Sequence, residues 1–202
     1  MIAGVGDEGD GAVRALLLAP GAGADRNQSA LVAIDHAVAA LGVTVRRMDF
    51  PYRKAGRKAP DRPAVLLAAV LEEAQGLAAE AGCEPGAVAL GGRSMGGRIC
   101  SLAVGEGLAA AALILVSYPL HPPGRLDKLR TEHFPSLDVP CLFLSGTRDA
   151  FGSPAELTAA TAAIPGPVTH EWIEGKDHGM RGCDAAVAAT VAAYVTALGP
   201  RD

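Results

Sequence analysis

The sequence is poor in aromatics, poor in cysteine and without a basic excess, and each shortage removes a class of protein. Only 4% of its 202 residues are aromatic, so Ala, Leu and Val must fill the core. The four cysteines, Cys83, Cys100, Cys141 and Cys183, stand far apart with no C-x-x-C pair. That fits a reducing cytoplasm better than a disulfide framework, and reads as four mostly buried thiols. Against 22 acidic residues there are 18 basic ones, a formal charge of -4, whereas a nucleic-acid-binding domain would carry a strongly basic footprint. No apolar run of about 18 residues is free of charges and breakers, so no membrane helix is expected. Ala15 to Ala19, followed by Ala22-Gly23-Ala24, imitates a signal peptide, but the run is short and its flank is acidic at Asp7, Glu8 and Asp10.

What is present is a 50% hydrophobic chain with 25 Gly and 14 Pro. At this length one core buries roughly 70% of the unfolded surface, so neither disulfides nor a structural metal is needed. After a flexible, Gly-rich N-terminus over 1–12, strand-length apolar runs alternate with helical periods through 13–202. Strands are expected at Val13–Ala19, Val43–Phe50, Ala87–Gly91, Ala111–Tyr118, Val139–Ser145 and, as an edge, Val168–Ile173. Helical faces are expected from Leu31, Ile34, Val38 and Leu41; from Val65, Leu66, Val70, Leu71, Ala74 and Leu77; over Met95–Glu106 and Pro154–Ala163; and over Asp184–Leu198. Residues 51–63 and 119–138, rich in proline, read as loops. This order predicts a single α/β domain of about six mainly parallel strands with helices on both faces.

Gly92-Arg93-Ser94-Met95-Gly96 is a G-x-S-x-G pattern, which 25 Gly and 7 Ser produce by chance in roughly one such chain in ten. Its setting gives it meaning, since apolar Val88-Ala89-Leu90 precedes it and a helical period follows, the strand, turn and helix of a nucleophile elbow. A serine hydroxyl needs a histidine base and a carboxylate to orient that base, in the chain order Ser, acid, His. Among five histidines, His178 stands in a polar turn (GKDHGM) between the last strand and the last helix. Asp149 ends SGTRD directly after the fifth strand, at the same sheet edge, and is preferred over Asp177 and Asp184. The oxyanion hole needs two backbone N–H donors, one expected from Met95 and one from Ala22 in the Pro-Gly-Ala-Gly turn after the first strand. Tyr118, Leu120, Phe151 and Met95 are candidates for an apolar pocket wall and His121 for a polar contact; Arg93 and Arg98, flanking the elbow, are candidates for an anion contact, with packing or ion pairing the stronger reading for Arg98. The catalytic scheme requires no cofactor and no metal.

The order Ser94, Asp149, His178 and the GGRSMGG elbow resemble the α/β-hydrolase superfamily, in particular its small lidless branch related to dienelactone hydrolases. More narrowly, LAPGAGAD, FPY at 50 to 52, GGRSMGGR, YPLHPPGR and SGTRDAFG are similar to the family that groups small bacterial hydrolases with the testis-expressed protein 30 and KAT8 regulatory complex subunit 3 proteins of animals. The resemblance covers residues 13 to 198 and implies the α/β-hydrolase fold without a lid domain and a shallow, open pocket. Dienelactone hydrolases typically use a cysteine nucleophile; Ser94 in its place directs the expectation toward esters or related acyl substrates.

Two loops at the active-site edge are basic, one holding Arg53, Lys54, Arg57, Lys58 and Arg62, the other Arg125, Lys128 and Arg130. They form either a positive rim that favours anionic substrates or an acidic partner, or a set of cations paired with surface acids. The expected activity is carboxylesterase-like hydrolysis of a small-molecule ester, with no nucleic-acid or membrane partner. Acyl transfer by the same residues, and a non-catalytic module binding a protein partner or a second copy, are the alternatives.

Overall fold

Six apolar runs form one all-parallel sheet in the computed structural model, which describes residues 12–199. The strands are β1 (Ala15–Ala19), β2 (Thr44–Arg47), β3 (Val88–Arg93), β4 (Leu113–Val116), β5 (Cys141–Gly146) and β6 (Val168–Ile173), in the spatial order β2-β1-β3-β4-β5-β6. The helices are α1 (Ser29–Ala39), α2 (Pro51–Lys54), α3 (Pro63–Ala81), α4 (Met95–Gly105), α5 (Pro154–Thr161) and α6 (Asp184–Ala197). The first eleven residues, where a flexible N-terminus is expected, lie outside the described residues.

Side chains alternate across each strand, so every central strand feeds two cores. Leu16, Leu18, Ile114, Leu142 and Leu144 are buried together with Leu31 and Ile34 of α1 and Val187 and Val191 of α6. Leu17, Leu90, Leu115 and Phe143 face the other way, onto Val70 and Leu77 of α3, Ile99 of α4 and Leu157 of α5. A fully buried leucine of this kind contributes about 1.5–3 kcal/mol of transfer free energy, so the apolar runs specify the layers. β2 and β6 lie at the edges, and β6 is correspondingly only partly buried.

Three local expectations are corrected. Residues 51–63 are not one loop, because α2 begins at Pro51 and α3 at Pro63; proline presets φ for a first helical turn. Val65 and Leu71 are 44% and 42% exposed, and the packed stripe of α3 is Leu66, Ala69, Val70, Ala74 and Leu77. An Ala- and Leu-rich helix offers two overlapping stripes, and only contact with the sheet selects one. Leu41 lies beyond the end of α1 and is 47% exposed. The 119–138 segment carries only a three-residue 3-10 turn, Phe134–Ser136. All four cysteines are free thiols, Cys83 partly exposed and the other three buried. No helix among the described residues is long and apolar enough to cross a membrane.

His133, from the long connection, packs its ring edge against Phe134 and bonds Ser101 Oγ at 2.8 Å. The Ser101 hydroxyl donates to the Arg98 carbonyl, so His133 Nε2–H is the donor to Ser101, and buried Nδ1 is left without a partner among the described residues. Burial, reinforced by the charge of Arg98, pushes the His133 pKa down to about 4. The unfolded chain therefore binds more protons than the folded one between its ordinary pKa of about 6.5 and about 4, and stability falls as pH drops through that window. His170, lowered by burial, acts in the same direction. Urea midpoints measured from pH 7 to pH 4 are expected to decline, and His133→Gln to flatten the slope; an unchanged slope in that variant contradicts the assignment.

Candidate active site

Because all strands are parallel, their C-terminal ends share one edge: Ala19 pairs with Gly92, Arg93 with Val116 and Gly146 with Ile173. The chain leaves β1 toward β2 on one side and later adds β3 on the other. The crevice beyond β1 and β3 is thus the topological switch point, where open α/β sheets place ligands.

Ser94 stands there, between β3 and α4, with φ 51° and ψ -116°. This strained conformation is sparsely populated by non-glycine residues. It persists because both neighbours are fixed: Ser94 N–H donates to Val116 O at 2.8 Å, and Ser94 O accepts the N–H of Arg98 at 3.0 Å. Gly92 and Gly96 let the elbow lie against β1, since a Cβ on either would strike the carbonyl oxygen of Ala19.

Ser94 Oγ is 2.9 Å from His178 Nε2, and His178 Nδ1 is 2.8 and 3.0 Å from the two oxygens of Asp149. Asp149 is buried, its side chain 1% exposed, while that of His178 is 21% exposed. The Asp149 carboxylate also accepts the N–H of Phe151 at 2.8 Å, and the Phe151 ring lies 4.1 Å from the His178 ring, centroid to centroid. Two further links, not apparent in the sequence, tie the aspartate turn to the histidine loop. Arg148 N–H donates to Lys176 O at 2.8 Å, and Gly175 N–H donates to Thr147 Oγ1 at 2.8 Å. Gly146 is required at this seam, because a Cβ would collide with the Lys176 carbonyl. From the elbow, Arg93 Nη2 donates to the His178 carbonyl at 2.5 Å; burial lowers the Arg93 pKa.

In the turn after β1, three backbone donors are engaged: Gly21 N–H with Gln28 Oε1, Gly23 N–H with the Tyr52 hydroxyl, and Ala24 N–H with Gly21 O. Among the described residues, Ala22 N–H is the donor that this turn leaves without a partner. Met95 is the first residue of α4, so its N–H has no intrahelical partner and lies at the positive end of the helix dipole.

These groups open onto a cleft of about 420 Å³ whose wall includes Ala22, Arg93, Ser94, Met95, Phe151 and His178. Tyr118, Leu120 and His121 do not reach it. Tyr118 is buried against Phe134 and Phe143 with its hydroxyl donated to Arg130 O at 2.6 Å; Leu120 is buried under Gly152. His121, 2% exposed, bonds the Pro122 carbonyl through Nδ1. The connection after β4 turns inward immediately, which proline content does not reveal. In their place the cleft gains Gln28, Arg98 and Arg130. Of these, Arg98 carries a readable signal, since it stands four residues after Ser94, in the first turn of the helix that Ser94 precedes.

The rim is less charged than its composition implies. Arg53 pairs with Asp25, Lys54 with Glu73, Arg57 with Asp61 and Arg125 with Asp127; of the eight basic residues only Arg130 lines the cleft. A larger groove of about 660 Å³ between α3 and α4 is lined by Leu67, Leu71 and Leu108 and includes none of Ser94, Asp149 and His178. Among the described residues no cluster of three or more His, Cys, Asp or Glu side chains is arranged to hold a metal ion.

A family model described as an alpha/beta hydrolase domain matches residues 12–191. Among solved structures, the chain is similar to a lidless α/β serine hydrolase of Xanthomonas campestris, at 16% identity over 95% of this chain and 85% of that one, with a TM-score of 0.75. It is similar to the dienelactone hydrolase of Anabaena variabilis, at 17% identity over 95% and 88% of the two chains, TM-score 0.73. Est1E of Butyrivibrio proteoclasticus, solved with ferulic acid bound, matches at 15% identity over 93% and 90%, TM-score 0.70.

Proposed function

The chain belongs to the alpha/beta hydrolase domain family, and from that premise we propose that it is a serine esterase acting on small acyl substrates. The observation that carries the reading is the unbroken hydrogen-bond line from Ser94 Oγ through His178 to buried Asp149. His178 Nε2 takes the proton of Ser94 as Oγ attacks the acyl carbonyl, and the resulting oxyanion is met by the N–H groups of Ala22 and Met95. The imidazolium returns that proton to the departing alkoxide, leaving an acyl-serine. Water, deprotonated by His178, then releases the acid and regenerates Ser94. Asp149 fixes the Nδ1–H tautomer and balances the transient positive charge. Phe151 and Met95 supply apolar wall for the acyl or alcohol part.

Two features favour hydrolysis over transfer to another acceptor: the partly exposed His178 gives water access to the acyl-serine, and no inserted helix covers the cleft among the described residues. Esters also suit the oxygen nucleophile, where typical dienelactone hydrolases use cysteine. Free thiols at all four cysteines suit a reducing cytoplasm.

The test is turnover of p-nitrophenyl acetate and butyrate, with product analysis. Saturable release of both nitrophenol and free acid is expected. Release no faster than that of the Ser94→Ala variant contradicts the reading.

A further inference from the structure

The cleft wall contains three arginines, Arg93, Arg98 and Arg130, and no acidic residue. None of the three has a carboxylate within ion-pair distance among the described residues, although four of the eight rim cations do. Arg93 is occupied, since its guanidinium holds the His178 carbonyl and feels Asp149 electrostatically. Arg98 Nε is buried without a hydrogen-bond partner among the described residues, and Arg130 commits only Nη1, to the Pro119 carbonyl at 3.2 Å.

The pair is also held in place. Arg98 sits on the first turn of α4, its N–H bonded to Ser94 O. Arg130 is fixed at its backbone, its N–H donating to Leu120 O and its carbonyl accepting from Tyr118. Their charges oppose each other, because burial and then the charge of Arg98 both disfavour charged Arg130. Two partly desolvated guanidinium groups with like charge and spare donors are costly unless an anion joins them. A carboxylate or a phosphate has oxygens enough to accept from two such forks at once, in charge-assisted hydrogen bonds.

We infer that Arg98 and Arg130 together form a subsite for an oxyanion group, a carboxylate or a phosphate, carried by the acyl substrate within a few bonds of the scissile carbonyl. The short spacing follows from Arg98 lying one helical turn from Ser94. This deepens the esterase reading and rests on it for the reaction, but the binding of an anion stands apart from it.

The test compares kcat/KM for mono-p-nitrophenyl glutarate with that for p-nitrophenyl valerate, which has the same chain length and no charge. Wild type is expected to prefer the anionic ester by about tenfold or more, the scale of one charge-assisted hydrogen bond. Arg98→Gln and Arg130→Gln are each expected to remove about tenfold of that ratio. Arg125→Gln, at an exposed pair with Asp127, serves as the control and keeps it. Calorimetric titration of the wild type and these variants with glutarate and with 4-phosphonobutyrate identifies the preferred headgroup. Turnover of both esters by wild type with no preference between them, a preference that survives in both cleft variants, or no binding of either glutarate or 4-phosphonobutyrate to wild type overturns the subsite. Loss of glutarate and phosphonate binding in Arg98→Gln with no turnover of either ester supports the subsite and overturns the esterase reading instead.

Discussion

Ser94→Gly is expected to abolish esterase activity while leaving the fold as stable as wild type or more so. Removing the nucleophile of a working triad typically lowers kcat by about a millionfold. Glycine, however, adopts the φ of 51° found at Ser94 without steric cost, whereas a serine held there stores about 1–3 kcal/mol. The greater backbone entropy of glycine in the unfolded chain takes back part of that relief, about 0.5–1 kcal/mol. Thermal unfolding should therefore show a Tm no lower than that of wild type, alongside activity at background. A variant that loses several degrees would mean that the serine side chain serves packing. Undiminished turnover would place the chemistry elsewhere.

Asp149→Asn is expected to lower kcat by about ten-thousandfold with KM nearly unchanged. The side chain is buried and absent from the cleft wall, so it has no route to substrate affinity. Its two oxygens accept from His178 Nδ1, and one also accepts the Phe151 N–H. An asparagine can satisfy Phe151 with its oxygen only by turning its NH2 toward His178. The ring then needs an unprotonated Nδ1 and carries its proton on Nε2, where it cannot take one from Ser94. A rise in KM at constant kcat would mean that Asp149 shapes the pocket and does not set the tautomer.

The sheet and the positions of Ser94, Asp149 and His178 were readable because each sits where a strand pattern stops, and a parallel sheet brings all such stops to one edge. The strands themselves are shorter than their apolar runs: 44–47 within 43–50, and 113–116 within 111–118. Hydrophobicity records burial, which continues past the last ladder hydrogen bond. Tyr118, Leu120 and His121 illustrate the harder problem. Their place after a central strand suggests the site, but the aromatic cluster around Phe134 and Phe143 draws Tyr118 into the interior. Conversely, Arg130 lies far from Ser94 and Arg98 in sequence, and only the packing of the long connection brings it to the cleft beside Arg98. Charge counting gives a basic rim; pairing with Asp25, Glu73, Asp61 and Asp127 neutralises half of it, and of the rim cations left without an ion pair among the described residues, Lys58, Arg62, Lys128 and Arg130, only Arg130 lines the cleft beside Ser94.

The central claim is that Ser94 is an activated nucleophile, and intact-mass measurement after treatment with a fluorophosphonate tests it without any assumption about substrate. One stoichiometric adduct is predicted, mapped to Ser94 and missing from Ser94→Ala and His178→Ala. A folded wild-type protein that takes up no adduct, or an adduct that persists in both variants, would contradict it.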